Sequence, residues 1–320
     1  MTKPIIYLQE HLNADHMKEI QRLAPDYQII DGRNNETTFD ANAIHIILGY
    51  DKSLIDDLLA SSASQLQWIQ ATSAGIDYFD LKKINKKQIL LSNASGIHST
   101  SITEHILGVL LAEFRGIRSS ILNQEKKEWH QVDTPYSQLS GKKMLIVGTG
   151  KIGQHLGKAS SGLGIKAYGI NTSGHATEGF IECYSQKNMV KIIPDMDIIV
   201  NILPLTDQTY HLFNQQIFLA FKPQSVFINV GRGATVKTND LIVALKNGHI
   251  SFAALDVFEE EPLAKKSPLW EMPNVLVTPH LSGLTPQFRS KLATIFLPNL
   301  KNFISEGTLI KNQVSLTKGY

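Results

Sequence analysis

Three short fragments carry side chains suited to chemistry on a carbonyl group. The stretch INVGRGATV (228–236) sets Arg232 between two glycines, just after an apolar run. ALDVFEEEPL (254–263) puts Asp256 and Glu261 around the end of another such run, and VTPHLSG (277–283) puts His280 after a third. A fixed cation stabilises charge developing on an oxygen, and an imidazole with a carboxylate partner moves the proton. Each residue also has a plainer reading. Arg232 could be a surface ion-pair residue, although glycines on both sides at a strand end disfavour that. Glu259 and Glu260 read as a solvated acidic run, and only Glu261 has the position before Pro262. His98 and His105 read as structural or exposed histidines, and Trp129 and Trp270 as packing residues, although either could wall the substrate site.

A second pattern concerns phosphate. MLIVGTGKIGQHLG (144–157) places Gly148, Gly150 and Gly153 in G-x-G-x-x-G register between an apolar strand and a helix. The first glycine permits the tight turn, the second lets the backbone approach a pyrophosphate, and the third lets helix and strand pack closely. The helix N-terminus then offers free N–H groups to the anion. The strand, the helix and a second strand at 165–170 together make this a dinucleotide site.

These residues need a scaffold. Short β-branched runs alternate with amphipathic segments, the pattern of parallel sheets with crossover helices. Strands are expected at 4–8, 43–50, 66–72 and 88–93, with helices at 13–23 and 52–62 between them. A long helix over 102–121 reads as an inter-domain connector. A second series follows, with strands at 142–150, 165–170, 197–204, 225–231, 250–258 and 274–280. A final helix over 286–307 leads to a tail that packs back on the first domain. The fold class is therefore α/β with two domains. Residues 1–98 and 290–320 make the first, and a Rossmann dinucleotide-binding domain, 99–289, is inserted in it. Arg232, Asp256, Glu261 and His280 all fall just beyond carboxyl ends of strands, where open α/β sheets bind ligands.

Composition narrows the rest. The 320 residues are comfortable for two domains, and 19% charged residues with 42% hydrophobic ones describe an ordinary globular chain. A net charge of +2 gives no electrostatic reason to expect nucleic acid or an acidic membrane. The single cysteine, Cys183, excludes an intrachain disulfide framework or a cysteine-cluster zinc site, and no metal is expected. The N-terminus reads as a first strand, not a signal peptide, and no apolar stretch approaches membrane-spanning length. A cytoplasmic protein is expected.

The fragments TSAGIDYFD (72–80), NASGIHSTSITEH (93–105), VGTGKIG (147–153), ILPLTDQT (202–209), NVGRG (229–233), ALDVFEEEPL and TPHLSG (278–283) resemble, in order, the D-isomer-specific 2-hydroxyacid dehydrogenases. In detail they look most like the glyoxylate/hydroxypyruvate reductase-like branch. The resemblance implies a flavodoxin-like substrate domain and NAD(P)-dependent reduction of a small 2-oxo acid to the D-2-hydroxy acid. It makes Arg232 the substrate arginine, His280 the proton donor and Glu261 the carboxylate that orients it. Ala74 and Gly75 match a turn whose N–H groups hold the substrate carboxylate. Lys151 and Ile152 join the three glycines at the pyrophosphate. Leu203, Pro204, Thr209, Val230, Gly231, Arg232 and His280 line the cofactor, and Asp256 contacts its nicotinamide end. The reaction is expected in a cleft between the domains, closed against water, in a homodimer to which the 102–121 helix contributes. HLSGLT departs from the small residue and Ala-Thr often found after the family's histidine. No regulatory domain is expected after Tyr320.

The end of the second Rossmann strand sets the cofactor. In an NAD site an acid there accepts hydrogen bonds from the ribose 2′-OH. Here YGINTSGH (168–175) offers Asn171, Thr172 and Ser173, which would not repel a 2′-phosphate. No arginine lies in the turn, and His175 and Lys151 are the nearest cations. NADP is the expected preference, with NAD possible. Two rivals remain: an NAD-dependent dehydrogenase of a phosphorylated or bulky D-2-hydroxy acid, and a nucleotide-sensing co-repressor-like binding protein.

Overall fold

A computed structural model describes residues 3–33, 38–130 and 136–316. The chain divides into two compact units, 1–97 with 285–320, and 98–284.

The first unit is built on a parallel five-stranded sheet in the order β2-β1-β3-β4-β5. Its strands are β1 Ile5–Leu8, β2 Gln28–Asp31, β3 Ile44–Leu48, β4 Trp68–Gln70 and β5 Leu90–Ser92. That order, 2-1-3-4-5, is the flavodoxin-like one. Helices α1 Ala14–Leu23, α2 Lys52–Ala60 and α3 Leu81–Lys86 connect them. Both faces of the sheet are covered, so β1 (IIYL) is a continuous apolar run and β3 (IHIIL) is interrupted only by His45. On one face Ile6, Leu8, Ile46 and Trp68 meet α1 and the C-terminal helix Phe288–Glu306. There the Trp68 and Phe296 rings stack with centroids 5.1 Å apart. On the other face Ile44, Ile47, Ile69 and Leu91 meet Ile55, Leu58 and Ile84. After the last helix the chain returns to β5, where the N–H of Val314 donates to Leu91 O.

The second unit opens with α4 Ser99–Phe114 and α5 Ile117–Lys126. The single long helix expected over 102–121 is thus two. Gly116 takes φ +68°, and its N–H turns back to Glu113 O, which ends α4. A parallel seven-stranded sheet follows: β6 Lys143–Val147, β7 Lys166–Asn171, β8 Glu182–Ser185, β9 Ile198–Asn201, β10 Ser225–Asn229, β11 Ile250–Leu255 and β12 Val275–Val277. Its order is β12-β11-β10-β9-β6-β7-β8, the doubly wound dinucleotide-binding order with one more strand at the end. Between the strands lie α6 Lys151–Ser161, α7 Met189–Ile192, α8 Gln215–Leu219 and α9 Thr238–Lys246. Period-2 alternation sends Leu145, Val147, Ile199, Phe227 and Leu255 to one core, and Met144, Ile146, Val200, Ile228 and Ala254 to the other. No helix among the described residues is long and apolar enough to cross a membrane.

Candidate active site

Arg232, Glu261 and His280 leave the carboxyl ends of β10, β11 and β12. The Glu261 carboxylate bridges two groups, accepting at Oε1 from the Phe258 N–H (2.9 Å) and lying 2.7 Å at Oε2 from His280 Nδ1. The His280 side chain is half exposed, and the pairing of Nδ1 with Glu261 orients the ring.

His280 sits at φ +51°, a left-handed conformation uncommon outside glycine. Asp256 holds it there. Its backbone oxygen accepts the His280 N–H at 2.9 Å. Its Oδ1 accepts from Thr278 Oγ1 (2.5 Å) and the Leu281 N–H (3.0 Å), and its Oδ2 from the Ser282 N–H (2.9 Å). Burial alone would raise this carboxyl, but the hydrogen bonds from Ser282 and Thr278 keep it below the ordinary aspartate range. The buried carboxylate thus fixes the loop that carries His280. His105, from α4, comes within 3.5 Å of Thr278 Oγ1, and burial lowers its pKa despite the nearby Asp256. His98 is structural too, with Nδ1 2.8 Å from Gly283 O.

The glycines beside Arg232 are required by close approach. A Cβ on Gly231 would stand 2.6 Å from Leu203 O, and one on Gly233 1.8 Å from the Phe258 carbonyl carbon. The turn around Arg232 is therefore wedged between the 202–204 and 258–261 loops. Arg232 is half-buried, with Nη1 donating to Gly231 O at 3.0 Å.

Glu259 does not belong to a solvated acidic run. Its Oε1 lies 2.6 Å from His211 Nε2, and its Oε2 accepts the Thr238 N–H that opens α9 at 2.8 Å. Burial raises its carboxyl, but the bonds from Thr238 and His211 outweigh that and hold it below the ordinary glutamate range. Trp129 is no packing residue either, being 93% exposed, and Trp270 is half exposed with Nε1 donating to Ala264 O.

At the glycine-rich turn Gly148 takes φ +114°, and a Cβ on Gly153 would stand 2.1 Å from Gly148 O. Gly150 differs, since its added Cβ would meet nothing within 4 Å. It is the N-cap of α6 and makes no side-chain cap. An open approach at the N-terminus of α6 fits a dinucleotide pyrophosphate.

The 171–175 turn is held together by its own polar side chains. Asn171 is engaged within the turn, its Oδ1 accepting the Gly174 N–H (2.6 Å) and its Nδ2 donating to His175 O (2.9 Å) and Thr149 Oγ1 (3.2 Å). It shapes the turn, while Thr172 and Ser173 are exposed. Ser173 Oγ lies 2.9 Å from His175 Nδ1, and the next acid along the chain, Glu178, pairs with Lys158 at 2.7 Å. Thr209 is also engaged locally, with Oγ1 donating to Pro204 O (2.7 Å) and accepting the Thr206 N–H (2.8 Å). It thereby shapes the loop that carries Leu203 and Pro204. Val230 is buried, with its N–H on Asn201 O.

In the first unit Ala74 and Gly75 lie in the turn after β4. Ala74 O accepts from Asn93 Nδ2 (3.0 Å) and Gly75 O from Ser73 Oγ (2.6 Å). Tyr78 Oη lies 2.8 Å from the same Ser73 hydroxyl. Sequence reasoning missed these supports, as it missed Thr149, Thr278 and the buried asparagines at the ends of β9 and β10. Their signal is a polar residue closing an otherwise apolar strand. Among the described residues no group of three or more His, Cys, Asp or Glu could hold a metal ion.

Comparison with known proteins agrees with this geometry. Residues 107–282 match the family profile "D-isomer specific 2-hydroxyacid dehydrogenase, NAD binding domain". A glyoxylate/hydroxypyruvate reductase B of Klebsiella pneumoniae subsp. pneumoniae is 30% identical, over 98% of both chains. Among solved structures, a phosphoglycerate dehydrogenase from Lactobacillus plantarum is 36% identical over 97% of this chain and 100% of its own, with a TM-score of 0.59. The NADPH-dependent glyoxylate/hydroxypyruvate reductase SmGhrA of Sinorhizobium meliloti, solved with NADP and sulfate, is 26% identical over 100% of both chains, with a TM-score of 0.80.

Proposed function

The chain belongs to the D-isomer specific 2-hydroxyacid dehydrogenases, and from that premise we propose that it reduces a small 2-oxo acid of the glyoxylate or hydroxypyruvate kind to the D-2-hydroxy acid, using NADPH in preference to NADH. The observation that carries this reading is the 2.7 Å pairing of His280 with Glu261, on a loop clamped by Asp256.

In this reading the Arg232 fork binds the substrate carboxylate and the adjacent 2-oxo oxygen, and its charge stabilises the alkoxide as it develops. His280, protonated and steadied by Glu261, gives its Nε2 proton to that oxygen and is reprotonated from water. The N–H groups of Ala74 and Gly75 hold the substrate carboxylate. Gly148, Gly150, Lys151, Ile152 and Gly153 hold the pyrophosphate, and Leu203, Pro204, Thr209, Val230, Gly231 and Asp256 shape the rest of the cofactor site. The bound nicotinamide supplies the hydride. NADPH preference is supported by the neutral, exposed Thr172 and Ser173, by His175 beside them, and by the engagement of Glu178 with Lys158.

A second reading, a phosphorylated substrate, is favoured by the resemblance to the phosphoglycerate dehydrogenase. Against it, segment 72–80 contains no arginine or lysine to neutralise a phosphate. We further infer a cytoplasmic homodimer. Ile117, Ile121 and Leu122 of α5 and Trp129 beyond it are exposed and would be covered by a second copy.

The test is loss of reduced-nicotinamide absorbance with NADPH or NADH and glyoxylate, hydroxypyruvate, a bulky 2-oxo acid or a phosphorylated one. Turnover fastest with NADPH and a small substrate is expected. Preference for the phosphorylated acid would favour the second reading. Nucleotide binding without turnover would mark a sensor.

A further inference from the structure

Beneath Arg232 lies a group of polar side chains sealed from water. Asn201 closes β9, Asn229 closes β10, and Thr235 follows the Arg232 turn; they are 0%, 1% and 0% exposed. Buried polar groups at such depth are kept only when bonded. Asn201 Nδ2 donates to Asn229 Oδ1 (2.9 Å) and to Thr235 Oγ1 (2.7 Å), and Asn201 Oδ1 accepts the Leu203 N–H (3.2 Å). Asn229 Oδ1 also accepts the Gly231 N–H at 3.2 Å. Backbone donors facing Oδ1 in both amides fix which way each is turned. The Thr235 hydroxyl, accepting from Asn201, donates to Arg232 O at 2.6 Å. Asn229 Nδ2 and the Thr235 N–H reach the same oxygen at 3.4 and 3.2 Å.

We propose that Asn201, Asn229 and Thr235 are positioning residues that set the Arg232 guanidinium for the substrate, and that Asn201 ties this setting to the Leu203 loop on the cofactor side. The inference rests on the role given to Arg232 above. Three donors converge on one carbonyl, that of Arg232 itself, so the backbone from which the guanidinium extends is fixed at its root. Connected networks of this kind polarise and rigidify one another, and loosening one member is felt by the others. The two arms differ. The Thr235 hydroxyl joins the Arg232 carbonyl to Asn201, whereas Asn201 itself also holds the Leu203 N–H.

Thr235→Val keeps the side-chain shape and removes the hydroxyl. It is expected to lower kcat/KM for the 2-oxo acid about 10- to 100-fold, the scale of a small misplacement of a catalytic group. NADPH affinity, read by nucleotide fluorescence, should stay within about threefold, and Thr235→Ser should restore turnover. Asn201→Ala should weaken both NADPH and substrate. In an Arg232→Ala background, Thr235→Val should cost no more than about threefold further, because its effect runs through Arg232. Should Thr235→Val not fold, Asn229→Ala enters the same cycle. Full additivity in that cycle, or unchanged kcat/KM in Thr235→Val, overturns this inference and leaves the reductase reading standing if Arg232→Ala itself retains only a small, measurable fraction of the wild-type kcat/KM. An Arg232→Ala as active as wild type overturns both.

Discussion

His280 and Glu261 meet across 2.7 Å although they leave different strands, and the histidine holds a left-handed backbone at φ +51° to make the contact. A residue stays in such a conformation only where its surroundings over-determine it. Here the Asp256 backbone oxygen and both its carboxylate oxygens do so. Ring orientation is thus set from both sides, by Glu261 at Nδ1 and by Asp256 through the loop. His280→Ala should lower kcat by about 10²–10⁴, the usual contribution of a positioned acid or base. NADPH affinity should change little. Stopped-flow single turnovers separate the two, and an unchanged chemical step would remove His280 from the mechanism.

Asp256 makes stability depend on pH. Its folded carboxyl is depressed, so its contribution is fully present above the ordinary aspartate value of about 4 and is lost as pH falls through the lower folded value. Asp256→Asn should destabilise the protein at pH 7 by about 1.5–3 kcal/mol, the scale of hydrogen bonds to a charged group. The difference from wild type should shrink as the pH approaches 3. Urea unfolding at both pH values checks this, and an equal offset at both would show that charge is not the cause. Glu259, depressed by Thr238 and His211, should act in the same direction.

The glycines separate into two kinds. Gly233→Ala drives a Cβ into the Phe258 backbone and Gly153→Ala into Gly148 O, so both should lower the melting temperature. Gly150→Ala meets open space within the protein. It should leave melting unchanged and weaken NADPH about tenfold or more, equivalent to about 1.4 kcal/mol. Calorimetry beside fluorescence titration distinguishes these outcomes. A destabilised Gly150→Ala with normal binding would assign that glycine to packing.

The end of β7 sets cofactor choice in this account. Asn171→Asp would introduce a negative charge where a 2′-phosphate must come, at a cost of about 1–4 kcal/mol for charges about 4 Å apart. The NADPH-to-NADH ratio of kcat/KM should fall at least about tenfold. A ratio that does not move would show that the phosphate binds elsewhere.

The central strands and the glycine-rich turn were legible because burial on two faces enforces continuous apolar runs. The edge strands β2 and β8 were not, since sequences such as ECYS, half covered by neighbours, need no such run. The α4–α5 break was hidden in a helical period that continues through FRGIR, where one glycine at positive φ turns the chain. Arg232, Glu261 and His280 stood out by type and spacing. What holds them did not: Asp256 under the His280 loop, Glu259 at the start of α9, and the buried asparagines. Their roles depend on partners tens of residues away in sequence, which only tertiary packing brings within hydrogen-bonding distance.

The most direct test of the reductase assignment is chiral analysis of the product formed from hydroxypyruvate as NADPH is consumed. The account predicts D-glycerate accumulating in step with NADPH oxidised, and only at a small residual rate with Arg232→Ala. L-Glycerate, a racemate, or NADPH consumption without glycerate would contradict it.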